Sequence, residues 1–480
     1  MRKIFLIQFL LFSMVCFTQA PLRFFSKFGG NGVDIGYSAK PTLDKQYIVA
    51  GSTSSYGAGN TDVYLVKVDS MGFPIWEKYF GGFNNDVGKS VIQLPDSGYV
   101  VAGFTSSFGN GGYDIYIVKT DKNGALIWQK TFGGLDWDFG ADLVLAADGN
   151  IVVCGNTSSM GNGKKDGVLL KYDLFGTLLW QKTMGGIENE EFRSVIKTND
   201  NFFVTVGYTE SKGDVNGDGY FVKFDLNGDT LFTRYFGGTG KDYANDVLQK
   251  PNLDYIICGA KTYSTNPKTQ SLMYSISSIG NFLWENHYSD TPGGDEEFFS
   301  NCPVALDIGH TAYLRNRPKP AFKIQESIFI ALPFGVYYKA HDEGGIEDEF
   351  CYSIESTPDG GTISVGITNS FGSLNGDVFF VKRDSALVNN SNIVGLEVKT
   401  KENVKPILRF SNNNEVVMYL ENNLLIKYYK ITSVNGVVIS EKNTSVSELK
   451  IDLELYPRSI LILEIKLEND NVFYYKIPNG

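Results

Sequence analysis

Two sets of acidic residues recur through the chain at a constant spacing, and they are the groups best placed to do chemistry. Asp34, Asp86, Asp138, Glu190 and Asp242 each stand six residues after an aromatic or methionine that opens a Phe-Gly-Gly or Met-Gly-Gly signature. Asp62, Asp114, Asp166, Asp218 and Asp377 form the second set. Carboxylates repeated in this way either cap backbone donors in every copy of a structural unit or present a ring of negative charge to a cation or a hydroxyl-rich ligand. One copy is richer. Asp214, Asn216, Asp218 and Asp225 follow the D-x-N-x-D-G-x5-acid spacing of a calcium loop. It has Asp where a bidentate Glu is expected, and Tyr220 to Phe224 reads as a strand instead of a helix. A calcium-stabilised loop and an Asn-Gly/Asp-Gly turn without metal are the two readings of that segment; calcium is the one cofactor the sequence suggests.

Catalytic groupings are harder to assemble. His287, His310 and His341 have no metal-ligand spacing and no nucleophile motif beside them. The acid pairs Glu296-Glu297 and Asp348-Glu349 are of the type that glycosidases use, but read first as solvated loop charges. The formal net charge of -11 argues against nucleic acid or anionic lipid as the main partner.

These residues are positioned by a repeat. The signature opens copies at Phe28, Phe80, Phe132, Met184 and Phe236, 52 residues apart, with a divergent start near Tyr288. Within Phe80 to Gly134 four apolar or alternating runs, SVIQL, YVVAGFT, DIYIVKT and LIWQKTF, are separated by turn signals, which predicts a four-stranded meander. A meander puts the loop between strands two and three at the same end as the junction loop to the next copy, so both acidic sets belong to one face. Trp76, Trp128, Trp180 and Trp284, with Phe232 in the fourth place, fall in the last strand, where a large aromatic fills the wedge between copies. Gly51, Gly103, Gly155, Gly207, Gly259 and Gly366 lie inside a strand and predict close backbone approach. Asp69, Asp121, Asp173 and Asp225 head turns whose backbone they can cap. Cys154 and Cys258 occupy equivalent strand positions and read as buried thiols.

In chain order, residues 1–20 have Arg2 and Lys3, an apolar run and Thr18-Gln19-Ala20, the layout of a secretory signal peptide. No transmembrane segment is expected once it is removed. The next stretch, LRFFSKFGG, matches the last strand of a copy whose first three strands are missing, and residues 351–384 supply three strands without a fourth. Pairing the two closes the array and removes its exposed edges. With the divergent sixth copy at 289–341, the count is seven blades, giving an all-β protein: a seven-bladed β-propeller over 21–388, closed by the N-terminal strand.

The run Trp-x-Lys-x-Phe-Gly-Gly, Asp-Gly-Gly-Tyr, Gly-x-Thr-Ser-Ser and Asp-x-Tyr-x-Val-Lys-x-Asp resembles the secreted β-propeller repeats common in Bacteroidota, over residues 22–384. After a polar linker at 389–404, residues 405–480 lack the repeat and read as strands. KYYKITSVNGVVI, IDLELY and LILEIKL resemble the type A sorting domain of the type IX secretion system, which implies a small C-terminal β-sandwich and the type IX secretion machinery as a partner. Tyr456-Pro457-Arg458-Ser459 stands where that family has a Gly-Tyr turn. The expectation is a secreted or outer-surface scaffold that binds an extracellular glycan or protein. The alternative is an extracellular polysaccharide-active enzyme on the same scaffold.

Overall fold

A computed structural model describes residues 24–383, apart from 215, 264–265, 289–296, 304–310, 319–323, 332–336, 344–347 and 371–374, together with the strands between 407 and 478. Residues 1–20, expected to be a signal peptide, the whole of 389–404, expected to be a linker, and Tyr456 to Ser459 lie outside the described residues. The chain divides into two compact units, Met1–Asn389 and Asn390–Gly480. Every regular element in the described residues is a strand.

Up to Arg383 the described strands form seven four-stranded antiparallel sheets. Sheet two is representative. Asp86–Gln93, Tyr99–Thr105, Asp114–Thr120 and Leu126–Phe132 pair in sequence order, as the alternation of apolar runs and turns predicts. The middle two strands are buried along their length except at the half-buried Phe104, whereas the last, Leu126–Phe132, is largely exposed. Each middle strand therefore reads as a continuous apolar run packed on both faces. The divergent copy also forms such a sheet, ending in Ile324–Ala331 and Tyr337–Glu343. One sheet is assembled from both ends of the unit: Phe24–Phe28 pairs with Asp377–Arg383, beside Thr362–Thr368 and Glu349–Ser356.

The core lies between consecutive sheets. Ile48, Ala50, Val63 and Leu65 of sheet one pack with Val91, Tyr99, Val101 and Tyr116 of sheet two. Equivalent clusters join sheets two and three, three and four, and four and five. Another joins Tyr47, Val49 and Tyr64 to Val365, Val378 and Phe380, with Phe24 and Phe28 buried in it. The predicted wedge aromatics Trp76, Trp128, Trp180, Phe232 and Trp284 each border one of these clusters.

The first strand of every sheet carries a β-bulge at the same place, between Gly36 and Ser38, Gly88 and Ser90, Gly140 and Asp142, Phe192 and Ser194, Ala244 and Asp246, Phe298 and Ser300, and Cys351 and Ser353. The bulge explains the strand glycines. A Cβ on Gly51 would stand 1.8 Å from the Ile35 carbonyl oxygen, and one on Gly103 1.9 Å from that of Val87. The close approach expected from sequence is thus the neighbouring strand's bulge.

The second unit holds a three-stranded sheet of Ile407–Phe410, Glu415–Tyr419 and Glu448–Asp452. It also holds a four-stranded one of Val438–Val446, Ile426–Ser433, Ile460–Leu467 and Val472–Pro478. Leu449 and Ile451 are buried in the first, and Ile426, Ile431, Leu463, Ile465 and Leu467 in the second.

Candidate functional site

The two acidic sets meet in pairs. Asp62 and Asp86 flank Gly81, Asp114 and Asp138 flank Gly133, Asp166 and Glu190 flank Gly185, Asp218 and Asp242 flank Gly237, and Asp377 and Asp34 flank Gly29. A Cβ on Gly81 would lie 2.3 Å from Asp62 Oδ1 and 2.4 Å from Asp86 Oδ2, so the first glycine of the signature is required where two carboxylates converge. Both acids are inward-facing: Asp34, Asp86, Asp138, Glu190 and Asp242 are at most 1% exposed. Their oxygens accept local donors. Asp86 Oδ2 accepts from Gly82 N–H at 2.7 Å and from the Ser107 hydroxyl at 2.6 Å, and Oδ1 from the Thr105 hydroxyl. Asp34 repeats this with Gly30, Ser55 and Thr53, and Glu190 with Gly186, Thr209 and Ser211. The second set holds the other loop, as where Asp62 Oδ2 accepts from Ala58 and Gly59 N–H at 3.0 and 3.1 Å. This is the backbone-capping arrangement, and it tethers each junction loop to the loop beside it.

Pairing buried carboxylates has an electrostatic consequence. Burial pushes Asp62, Asp114 and Asp218 up from the usual carboxylate range, with the partner acid or Asp214 adding to the rise. Burial raises Asp242 furthest, to about 6, against hydrogen bonds from Thr262 and Gly238 and the charge of Lys261, with Asp218 contributing in the upward direction.

The four residues of calcium-loop spacing are not brought together. Asp214 and Asp218 lie at one end of the strand Asp218–Phe224, and Asp225 begins the turn at the other end. Seven residues of strand span roughly 20 Å, far beyond the 2.3–2.6 Å reach of a shared calcium. Asp225 Oδ1 instead accepts from Asn227 and Asp229 N–H, both at 2.9 Å. Asp214 Oδ1 is occupied by the Asn216 backbone and side-chain amides at 2.9 and 2.8 Å. The strand between them thus keeps Asp225 apart from Asp214 and Asp218, so the twelve-residue spacing does not close into one ligand set. Asp69, Asp121 and Asp173 cap their turns in the same way as Asp225.

Sequence reasoning missed what the bulges do. They re-aim Tyr37, Lys89, Ala141, Arg193, Asn245 and Tyr352 from successive first strands. These strands touch one another in succession, and Asp34–Pro41 also touches Glu349–Ser356. Tyr37 and Tyr352 lie 4.9 Å apart, and the Lys89 ammonium sits 3.7 Å from the centre of the Tyr37 ring. Burial lowers the Lys89 ammonium to about 8. One position on, serine and aspartate link the repeats: Ser90 to Asp142 at 2.6 Å, Ser194 to Asp246 at 2.7 Å, and Ser300 to Asp246 at 2.9 Å.

Two surface features complete the site. On the junction loops, the residue after the double glycine is a large apolar side chain in three successive repeats: Phe83, Leu135 and Ile187, 86%, 85% and 75% exposed, with Trp137 beside them at 58%. At the opposite end of the strands, a cleft of about 550 Å³ opens between the first two sheets, bounded by Trp76, Tyr99, Lys67, Asp44, Lys122 and Asn123 among others.

Residues 43–74 match a β-propeller domain of unknown function, DUF5122. Over 257 residues the chain is 25% identical to the regulatory protein FlaEY of Caulobacter vibrioides, covering 46% of this chain and 25% of that protein. The chain thus spans about a quarter of the curated relative it matches. Among solved structures it is similar to PorZ, a surface component of the type IX secretion system of Porphyromonas gingivalis, at 10% identity and a TM-score of 0.43 over 94% of this chain and 60% of that one. It is also similar to a PL25 ulvan lyase, at 11% identity and a TM-score of 0.46 over 74% of this chain and 96% of that one. Likenesses this distant carry no argument about activity.

Proposed function

We propose that the first unit is a seven-bladed β-propeller closed by its N-terminal strand, and that it works outside the cell, secreted or on the outer surface, as a scaffold that binds a glycan or protein. In this reading its junction-loop face is the binding surface, and residues 405–480 form a β-sandwich read by the type IX secretion machinery. The observation that carries the binding role is the exposed arc Phe83, Leu135, Trp137 and Ile187. Large apolar side chains grouped on one face of a protein are characteristic of an interaction surface. The buried acid pairs then have a supporting task, which is to hold these loops in place. Closure is supported by the pairing of Phe24–Phe28 with Asp377–Arg383 and by the apolar cluster shared between Tyr47, Val49 and Val365.

The test is a glycan-array and surface-protein binding screen of residues 21–388 against a variant carrying Phe83→Ser, Leu135→Ser and Ile187→Ser. A ligand retained by the parent and lost by the folded variant supports the reading. A ligand bound equally by both places recognition elsewhere. Turnover of a polysaccharide by the parent would favour the enzymatic alternative.

A further inference from the structure

The turn residue beside the cleft between the first two sheets differs from its counterparts at the next two junctions. At the next two junctions the wedge tryptophan is tied to the neighbouring repeat: Trp128 Nε1–H donates to the Leu174 carbonyl at 3.0 Å, and Trp180 Nε1–H to that of Leu226 at 3.1 Å. Lys119 and Lys171 donate to the same two carbonyls, at 3.0 and 2.9 Å. The leucine side chains pack against the inter-sheet core. At the first junction the equivalent residue is Lys122, which is exposed. Here Lys67 donates to Thr42 and Asp44, at 2.7 and 2.9 Å, just as Lys171 also donates to Asp148 at 2.6 Å. The indole N–H of Trp76 has no acceptor among the described residues.

We infer that this cleft is a binding subsite for an acidic saccharide, a short oligosaccharide bearing a carboxylate or sulfate. Trp76, with the Tyr99 ring edge-on at 5.9 Å, supplies an aromatic wall for the C–H face of a pyranose. The Trp76 N–H and the Asn123 and Gln46 amides supply donors and acceptors for its hydroxyls. Asp44 and Lys67 neutralise each other, leaving Lys122 as the one surplus charge among the residues bounding the cleft, and it is positive on a chain of net charge -11. A volume of about 550 Å³ is in the range of small-ligand sites and admits a disaccharide. The site is at the opposite end of the strands from the exposed junction loops, so it stands or falls independently of them.

The experiment titrates the full chain with oligogalacturonate and with cello-oligosaccharide of equal length, read by calorimetry, for the parent, Trp76→Ala and Lys122→Leu. Lys122→Leu restores the residue that plugs the next two junctions, so it should close the cleft while keeping or raising the melting temperature. The expected result is binding of oligogalacturonate by the parent, about threefold to fivefold weaker binding of the neutral sugar, the scale of one exposed ion pair, and loss of binding in both variants. No binding by the parent, equal affinity for the two sugars, or binding undiminished in Lys122→Leu would overturn the assignment.

Discussion

Phe28 stands directly opposite Val378, the last pair in an antiparallel register that begins at Phe24 and Lys382, so one strand from each end of the first unit completes a single sheet. Phe24 and Phe28 are both buried in the cluster that this sheet shares with the first.

Deleting residues 21–28 should therefore destabilise the whole unit. The loss comprises the strand's ladder at about 1 kcal/mol per net hydrogen bond and two buried phenylalanines at about 2 kcal/mol each. The expected outcome in calorimetry and size-exclusion chromatography is a lower melting temperature or aggregation through the uncovered edge. An unchanged transition would mean that the pairing does not close the array.

The strand glycines should be intolerant of the smallest substitution. Gly103→Ala would place a Cβ 1.9 Å from the Val87 carbonyl oxygen, a backbone atom next to the bulge. Overpacking of this kind costs about 1–3 kcal/mol. A thermal melt indistinguishable from the parent would show that the bulge shifts freely.

Stability should carry a signature of the buried acid pairs. Because the folded-state value of Asp242 is raised to about 6, the folded chain holds this proton more tightly than the unfolded chain, whose carboxyl titrates near 4. The contribution of Asp242 to stability is thus greatest below about pH 4 and declines as pH rises to about 6, by about 1–3 kcal/mol. Asp44, Asp148, Asp200 and Asp359 act in the other direction, since they are held below their usual range against burial, Asp44 by Thr42 and Lys67, Asp148 by Lys171, Asp200 by Lys223 and Thr198, and Asp359 by Thr357 and Lys382. The diagnostic is consequently a difference. Asp242→Asn should be more stable relative to the parent at pH 7 than at pH 4, as read by urea melts, and a constant difference across that range would remove the coupling.

The second unit should be dispensable for the first. A chain ending at Asn389 should keep the β-sheet circular dichroism and thermal transition of the repeats, because the chain divides there into separate compact units. In the native host it should remain in the periplasm if residues 405–480 act as the sorting signal. Normal export of the shortened chain would contradict that role.

Much of this fold was legible in the sequence because a repeat reports its own period. The 52-residue spacing of the Phe-Gly-Gly signature, the four apolar runs between turn signals, the wedge tryptophans and the turn-heading aspartates each depend on contacts within one copy or with the next, so the same residue type recurs wherever the same contact does. The strand glycines were legible as close approaches, although the bulge that causes them was not. What the repeat could not convey is the direction in which a recurring polar group faces. Asp34, Asp86, Asp138, Glu190 and Asp242 suit a ligand-facing ring in sequence, and the tertiary structure buries them against Asp377, Asp62, Asp114, Asp166 and Asp218 because each junction loop folds back over its neighbour. Asp214 and Asp225 have the spacing of a calcium loop, but the strand between them carries them to opposite ends of a sheet. The cleft has the opposite history. Its signal, Lys122 where Leu174 and Leu226 stand, is present in the sequence, yet it gains meaning only once the structure shows that those leucines pack into the inter-sheet core and that their carbonyls accept from a tryptophan one repeat away. Sequence determines which contacts are repeated, and packing between copies decides which of their groups remain open to a ligand.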